Sequence, residues 1–399
     1  MGVDLRSTPP LHCGHFSAGR CRSCTLMGTP YADQLAAKDA AVRERLGPLV
    51  PDHVWQEPLP SAAAGFRNKA KLVVGGTAGA PTLGILDADG RGVDLRTCGL
   101  HEAALATVLD RLARFVTRAA LPPYDVARRR GELKHLVLTA SPTGELMLRL
   151  VLRTTGPLER VREHLPGLLA DLPRLRVVSA NIHPEHKATL SGAQEVPLTE
   201  ETLLSVPMGP VVLHVGPDSF LQTNTAVAAA LYAQVTDWIT DRGAATVTDL
   251  YCGVGGFALH AAAAGIEAVG VEVSADAVRG ATRGARDLAG VPGAAGARFV
   301  VADASDPAAV VAAAGATQAV VVNPPRRGLG PDLPVLLDGL SAAADPATPT
   351  GTLVYSSCNP VTLATDLAAM PHWQPLSARL VDMFPNTDHA EVLVLLGPR

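Results

Sequence analysis

The sequence predicts an α/β protein, with a doubly wound, mainly parallel sheet in its second half and a mixed α+β region before it. After residue 217, short apolar strands alternate with helical segments, a rhythm that is typical of parallel sheets with helices on both faces. Before that point, strands with Gly-rich turns accompany a few helical patterns. A chain of 399 residues is also long for one domain. We therefore predict two domains, at 1–215 and 216–399.

Hydrophobic periodicity and turn residues place the individual elements. In the first half we predict helices at 31–46, 100–119 and 158–169, and strands within 66–96, at 133–140 and at 145–153. In the second half we predict strands at 245–250, 266–273, 297–302, 319–322, 352–356, 376–383 and 390–396. The helices among them are predicted at 223–240, from the glycine loop through 264, and at 275–288, 308–314, 333–343 and 361–370.

Composition limits the class of protein. The hydrophobic content of 47% indicates a folded chain, and its first residues carry charges and prolines instead of the apolar centre of a signal peptide. No stretch approaches the roughly 18 uninterrupted apolar residues of a membrane helix. We therefore expect a cytoplasmic monomer without a membrane partner. The net charge of -4 hides an excess of Lys and Arg in the first half, which reflects either chance or a surface that faces a polyanion.

A glycine-rich loop indicates a nucleotide-like cofactor. The segment DLYCGVGG at 249–256 lies where a strand gives way to a helix, and Gly253 and Gly255 let the backbone approach a ligand closely. Glu272 ends the next strand, where a carboxylate can accept hydrogen bonds from both ribose hydroxyls. Because the loop lacks the G-x-G-x-x-G spacing, S-adenosyl-L-methionine (SAM) is favoured over NAD. Asp303 closes the third strand and either reaches the adenine or caps a helix.

A second loop, after the fourth strand, lies at the same predicted edge of the sheet. In NPPRRG at 323–328, two prolines fix the Asn323 amide where ligands bind, as in methyltransferases that act on nitrogen or on nucleobases. The Arg326 and Arg327 side chains behind it can hold a phosphate.

Cys358, between the fifth strand and a helix, is the candidate nucleophile. A thiol at a helix N-terminus is expected to have a lowered pKa and thus a larger thiolate fraction. The alternative is a buried, inert cysteine, but the shared edge with the glycine loop favours a reactive one. Glu391 begins the last strand and is the candidate base, unless it is a solvated charge. His389 fits a structural role better.

Several motifs together resemble the RNA uracil-C5-methyltransferase family. They are DLYCGVGGF at 249–257, NPPRRG at 323–328, SSCNP at 356–360, HAE at 389–391, SFLQTN at 219–224, GFRNKAK at 65–71 and RRRGELK at 128–134. The resemblance covers nearly the whole chain from Cys13 onward and implies a Rossmann-like class I SAM methyltransferase domain. It is strongest to the branch that methylates 23S rRNA and has no β-barrel TRAM domain.

The resemblance implies a role for each site residue. Cys358 adds to C6 of uracil so that C5 can take the methyl group of SAM, and Glu391 then removes the C5 proton. The positions that match SAM-binding residues are Gln222, Tyr251, Glu272 and Asn323. Asn323 stands where most members have Asp, so no role that needs a negative charge is expected there. Tyr251 stands where many members have Phe, which keeps an aromatic wall against SAM.

Four cysteines near the N-terminus form a candidate metal site: Cys13, Cys21, Cys24 and Cys98. Disulfides are improbable in the cytosol, and from spacing alone the four thiolates indicate zinc or an iron–sulfur cluster equally. The resemblance implies a [4Fe–4S] cluster with these ligands and a structural role. It also implies that the segment at about 31–60 packs on the catalytic domain.

RNA contacts are expected mainly in the first half. Arg67, Lys69 and Lys71 alternate on a predicted strand and so share one face. A second basic patch consists of Arg128, Arg129, Arg130 and Lys134. Each cluster is either an RNA-binding surface or simply solvated. Because the target uridine must leave its stack to reach the thiol, a loop or an unfolded stem of 23S rRNA is the expected substrate.

Three other functions remain open on sequence alone. A tRNA uracil-C5-methyltransferase would use the same chemistry, although the cysteines and the RRRGELK stretch favour 23S rRNA. A non-catalytic iron–sulfur RNA-binding protein is disfavoured by the intact Cys358, Glu391 and glycine loop. A redox protein is disfavoured because Cys252 and Cys358 form no C-x-x-C pair.

Overall fold

A computed structural model describes residues 11–186, 191–314, 317–342 and 350–399. The described chain contains two seven-stranded sheets and a two-stranded hairpin. In these ranges no helix has both the length and the apolar character needed to cross a membrane.

An N-terminal arm comes first, with helices α1 (Gly14–Ser17) and α2 (Tyr31–Leu46) and a 3-10 turn at Asp52–Val54. Leu35 and Val42 of α2 are buried in a core that they share with Leu353 and Leu363 of the second half. An ion pair joins the same two regions, because Lys38 Nζ lies 2.8 Å from Asp382 Oδ1. The arm is thus packed on the C-terminal part of the chain.

The first sheet is mainly antiparallel. Its strands are β1 (Lys69–Thr77), β2 (Ala80–Leu86), β3 (Gly92–Asp94), β4 (Leu133–Ala140), β5 (Leu146–Leu152), β6 (Leu175–Ile182) and β7 (Gln194–Pro197). Their spatial order is β3-β2-β1-β4-β5-β6-β7, with β5 and β6 parallel. The helices are α3 (Ala103–Ala106), α4 (Leu109–Arg118) and α5 (Leu158–Asp171). One face of the sheet packs on α4 and α5, through Leu136, Leu112 and Leu168 among others.

A hairpin of β8 (Leu204–Met208) and β9 (Val211–Val215) precedes the second sheet. The strands of that sheet are β10 (Thr246–Leu250), β11 (Glu267–Glu272), β12 (Ala297–Val301), β13 (Ala319–Val322), β14 (Thr352–Ser357), β15 (Trp373–Val381) and β16 (Glu391–Pro398). The order is β12-β11-β10-β13-β14-β16-β15, and β16 runs antiparallel to both of its neighbours. The helices are α6 (Thr225–Asp241), α7 (Gly256–Ala263), α8 (Ala275–Leu288), α9 (Pro307–Ala314), α10 (Asp332–Ala342) and α11 (Pro360–Ala368).

The hairpin lies before the predicted domain boundary near 215 but packs with the second half. Val206 and Leu213 share a buried core with Leu231 of α6 and Phe257 of α7. The core of the second half therefore extends back into this hairpin, while the boundary itself stays a prediction.

Most predicted elements are confirmed within a few residues at their ends, and the helices at 31–46 and 275–288 have the predicted bounds. Residue 343, the last of the predicted helix at 333–343, lies outside the described residues. The single predicted helix at 100–119 is wrong, because the chain forms α3 and α4 instead. At the break, the Thr107 hydroxyl donates to the Ala103 carbonyl oxygen at 2.8 Å, a bond that competes with regular helix geometry.

Candidate active site

Three loops meet at one edge of the second sheet. The glycine loop follows β10, the Asn-Pro-Pro turn follows β13 and Cys358 follows β14, and these three strands are neighbours. Parallel strands place their carboxyl ends at the same edge, so the loops converge. Glu391 reaches this edge from the opposite direction, since it is the first residue of the antiparallel β16.

The glycine loop has a backbone that requires glycine. Gly255 has a φ of 85° and is the N-cap of α7. A Cβ there would lie 2.8 Å from the Phe299 ring, so a side chain would displace the loop. Tyr251 also has a positive φ, of 62°, a rare conformation for a residue with a side chain and one that clusters at ligand sites.

Glu272 is held against this loop. Its Oε2 accepts a hydrogen bond from the Gly253 amide at 3.1 Å, and its Oε1 accepts one from the Ser274 amide at 2.9 Å. Each carboxylate oxygen retains a further lone pair. The carboxylate can therefore still accept from ribose hydroxyls, as the sequence predicts.

Asp303 does not cap a helix. Its Oδ1 accepts hydrogen bonds from the amide and the hydroxyl of Ser305, at 2.9 and 2.7 Å. Asp306 sits instead before α9, where its Oδ1 accepts from the Ala308 amide at 2.9 Å. The capping interpretation is therefore wrong, and the contact with adenine stays a prediction.

Gln222, Tyr251, Gly253 and Asn323 line one small cavity of about 30 Å³. Ligand pockets are usually several hundred Å³, so a nucleoside ligand would extend beyond this cavity along the strand ends. Phe220 also lines it and is 65% exposed, a large apolar side chain left at the surface beside the loop. Sequence reasoning missed Phe220, although it lies in the SFLQTN motif.

Asp249, the first residue of the glycine motif, is a second site residue that the sequence did not single out. It is fully buried, and its Oδ2 accepts from the Ala258 amide at 3.1 Å. Burial, with a smaller effect of the nearby Glu272, raises the pKa of this carboxyl group to about 8. Its Oδ1 has no partner among the described residues, so one buried acceptor remains free at the base of the loop.

Cys358 is half-buried and lies one residue before the cap of α11. The cap is Asn359, whose side chain accepts from the Val361 amide at 3.1 Å. The prediction of a lowered thiol pKa is wrong: burial raises the pKa, and the negative charge of Glu391 adds to this effect. A hydrogen bond from Arg326 opposes both by favouring the thiolate.

The turn that carries Arg326 is tied to α11. The Asn359 side chain donates to the Arg326 carbonyl oxygen at 2.9 Å. Asp366 Oδ2 accepts from the Leu329 amide at 3.0 Å and from the Tyr355 hydroxyl at 2.6 Å. The loops after β13 and β14 are therefore held together as one unit.

Glu391 is enclosed close to the thiol. Only 2% of its surface is exposed, and its Oε1 accepts a hydrogen bond from the Ser356 hydroxyl at 2.6 Å. Burial raises the pKa of Glu391 to about 7, against the opposing effect of Ser356. A carboxyl group with a pKa near neutrality can take up and return a proton at working pH, as a general base must.

A cleft of about 400 Å³ opens beside Cys358. One wall carries Arg326, Cys358 and the segment 388–390, and the other wall is α2 of the arm. His389 lines the cleft, and burial lowers the pKa of its imidazole. Because Cys358 lines this cleft and is only half-buried, a substrate base inserted from outside could reach the sulfur.

Comparison with known proteins identifies the family. Residues 311–399 match the family model described as tRNA (Uracil-5-)-methyltransferase. The chain is 44% identical over 389 residues to 23S rRNA (uracil(747)-C(5))-methyltransferase RlmC of Halothiobacillus neapolitanus, which covers 97% of this chain and 99% of the relative. It is 44% identical over 390 residues to the RlmC of Edwardsiella ictaluri, with coverage of 97% and 99%. The chain belongs to the RlmC family.

A solved structure supports the fold of this RlmC family member. The tRNA (uracil-54, C5)-methyltransferase of Pyrococcus abyssi, in complex with S-adenosyl-L-homocysteine, matches with a TM-score of 0.76 at 22% identity. The match covers 94% of this chain and 85% of the other. The predicted α/β methyltransferase fold is confirmed.

The four N-terminal cysteines of this RlmC family member line a single cavity of about 440 Å³. Burial, together with the charges of Cys98, Cys21 and Cys13, raises the pKa of the Cys24 thiol to about 11. Within the described ranges, however, no group of three or more His, Cys, Asp or Glu side chains is arranged to hold a metal ion. The predicted cluster is therefore not shown.

The basic residues that the sequence predicts to bind RNA differ in how exposed they are. Arg67 precedes β1 and lines the cysteine cavity. Lys69 is buried, its Nζ donates to the Ser219 carbonyl oxygen at 3.2 Å, and burial lowers its pKa to about 8. Lys134 is also buried, and its Nζ donates to the Glu185 carbonyl oxygen at 2.6 Å. The exposed members are Lys71, Arg128, Arg129, Arg130, Arg326 and Arg327.

Proposed function

We propose that this chain transfers the methyl group of SAM to C5 of uracil 747 in 23S rRNA, the target named for its RlmC relatives. The observation that carries the proposal is the meeting of Cys358 and the enclosed Glu391 on the neighbouring strand ends of β14 and β16, beside the glycine loop. A thiol and a general base at one end of a SAM-type sheet fit covalent methylation of a pyrimidine.

Methyl transfer would proceed in three steps. The Cys358 thiolate, favoured by Arg326, attacks uracil C6, and the C5–C6 π electrons move toward the O4 carbonyl. C5 then takes the methyl group as its bond to the sulfonium sulfur breaks, which leaves S-adenosyl-L-homocysteine. Glu391 removes the C5 proton, the C5–C6 double bond re-forms and the thiolate leaves. Glu272, Gln222, Tyr251, Gly253, Gly255, Asp303 and Asn323 would hold SAM.

Radiolabelled SAM tests the substrate. Wild type and Cys358→Ala are each incubated with a 23S rRNA fragment that contains uracil 747 and with a tRNA transcript. We expect label in 5-methyluridine of the 23S fragment with wild type alone. Transfer to tRNA instead would support the tRNA alternative, which the description of the matched family model favours. No transfer and no SAM binding would support a non-catalytic RNA-binding protein.

A [4Fe–4S] cluster bound by Cys13, Cys21, Cys24 and Cys98 is part of the proposal. The support is that these four thiols line one cavity, next to the exposed Lys71 of β1. The cluster would hold the N-terminal region in place for RNA binding. Under anaerobic reconstitution with iron and sulfide, Cys24→Ala should bind much less iron than wild type. Cys358→Ala is the matched control and should keep its iron; equal iron in both variants would contradict the ligand set.

We also propose that the protein works as a monomer in the cytoplasm. The support is that its RlmC relatives are named for action on 23S rRNA.

A further inference from the structure

One face of α2 lines the cleft that also contains Cys358. Lys38, Ala41, Val42 and Arg45 line the cleft, and their spacing of three and four residues places them on one side of the helix. Val42 is buried in the shared core, which anchors this face against the second half. The wall is therefore fixed in place.

The charged groups of the cleft have different partners. Lys38 is neutralised by the buried Asp382, at 2.8 Å, and its Nζ also donates to the Phe384 carbonyl oxygen at 2.9 Å. Asp388 Oδ2 accepts a hydrogen bond from the Thr25 hydroxyl at 2.7 Å.

The remaining positive charge of the cleft comes from Arg326 and Arg45. Arg326 lines the cleft with Cys358, and its charge lowers the pKa of that thiol. Arg45 is exposed, and its side chain has no hydrogen bond or ion pair within the part of the chain that the structure describes. An arginine that is fixed by its helix, faces a substrate cleft and has no protein partner is available to a ligand.

We propose that Arg45 binds an RNA phosphate next to the flipped uridine, as a positioning residue of the arm; this inference rests on the proposed function. When the base enters toward the thiol, its ribose and flanking phosphates stay at the mouth of the cleft. Phosphates are held mainly by Arg and Lys, and a planar guanidinium can bind two phosphate oxygens at once. The arm thus contributes directly to substrate binding.

The experiment measures RNA binding by the full-length protein over a series of salt concentrations, with the uracil-747 fragment and a tRNA transcript as probes. Arg45→Ala should weaken binding about tenfold, the scale of one charged hydrogen bond. It should also lower the slope of log K against log salt by roughly 0.7, as one lost phosphate contact does. The KM for RNA should rise while SAM binding by calorimetry stays at the wild-type value.

Two variants control for general charge and for folding. Arg45→Lys should keep the salt slope, and Arg160→Ala, which removes an exposed charge from α5, should match wild type. Wild-type affinity and slope for Arg45→Ala, or equal losses in Arg160→Ala, would overturn the inference. If wild type methylates or binds tRNA alone, the substrate proposal fails. The effect of Arg45→Ala on the affinity for tRNA and on its salt slope then decides whether Arg45 binds a phosphate. If it binds neither RNA, both proposals fail.

Discussion

The two thiol sites of the molecule differ in how much of their geometry the protein builds by itself. Around Cys358, Asn359 holds the Arg326 backbone, Ser356 fixes Glu391, and Asp366 ties the flanking loops together. Around Cys24 the four thiols share a cavity, but no set of three is arranged as ligands in the described residues. Protein hydrogen bonds therefore define the first site, whereas the second would need its bound group to draw the ligands in.

Removing the nucleophile gives the largest expected effect and sharpens this contrast. Cys358→Ala should lower methyl transfer by at least roughly 10⁴-fold, because no covalent adduct can form. Its neighbours bond to one another, so the unfolding midpoint and SAM affinity should stay close to wild type. The measurement is single-turnover transfer from labelled SAM, with calorimetry and thermal unfolding as controls. Residual turnover within tenfold of wild type would contradict the nucleophile.

The N-terminal arm extends from the cysteine cavity to the cleft beside Cys358, and its stability should depend on the buried ion pair between Lys38 and Asp382. Lys38→Met leaves Asp382 charged, buried and without its cation, which should cost about 3–5 kcal/mol of unfolding free energy. Chemical denaturation measures this loss. The matched variant Lys38→Met with Asp382→Asn should recover most of it, because the amide needs no counter-ion. A loss of under about 1 kcal/mol in the single variant would show that the arm does not depend on this ion pair.

The acidity of Glu391 gives a smaller, graded effect. Its pKa of about 7 lies above the ordinary 4.5, so the group is protonated and inactive as a base at lower pH. The rate at which a preformed methylated adduct releases its product should rise about tenfold per pH unit up to about pH 7 and then level off, because this step depends on Glu391 and not on ionisation of the Cys358 thiol. Glu391→Gln should lose this dependence and accumulate a covalent protein–RNA adduct. A flat wild-type profile from pH 5 to 8, at about constant RNA affinity, would argue against Glu391 as the base.

The same carboxyl group links pH to stability. Its raised pKa means that the folded state holds the proton more tightly, so its stabilising contribution is complete below about pH 4.5 and is lost as pH rises through about 7. Glu391→Gln should therefore unfold with a weaker dependence on pH across this interval, as denaturation at a series of pH values would show.

The sequence predicted the local elements and the convergence of loops better than it predicted individual environments. Alternating strands and helices placed Cys358 and Glu391 at one edge because parallel topology leaves few options. The thiol pKa was predicted in the wrong direction because burial, which raises it, is a property of the whole fold and not of the local sequence. Lys69 and Lys134 look like solvated charges in sequence, since their carbonyl partners are distant in the chain.

The pairing of Lys38 with Asp382 has a consequence for how the chain matures. The two residues are 344 positions apart, and the arm's other contacts also join the beginning of the chain to its end. Contacts of such high sequence separation form late, because a very long loop must close first. During synthesis α2 cannot form its ion pair with Asp382 until the chain up to β16 has been made. The cleft beside Cys358, which α2 and residues 388–390 line, is therefore among the last features to be completed.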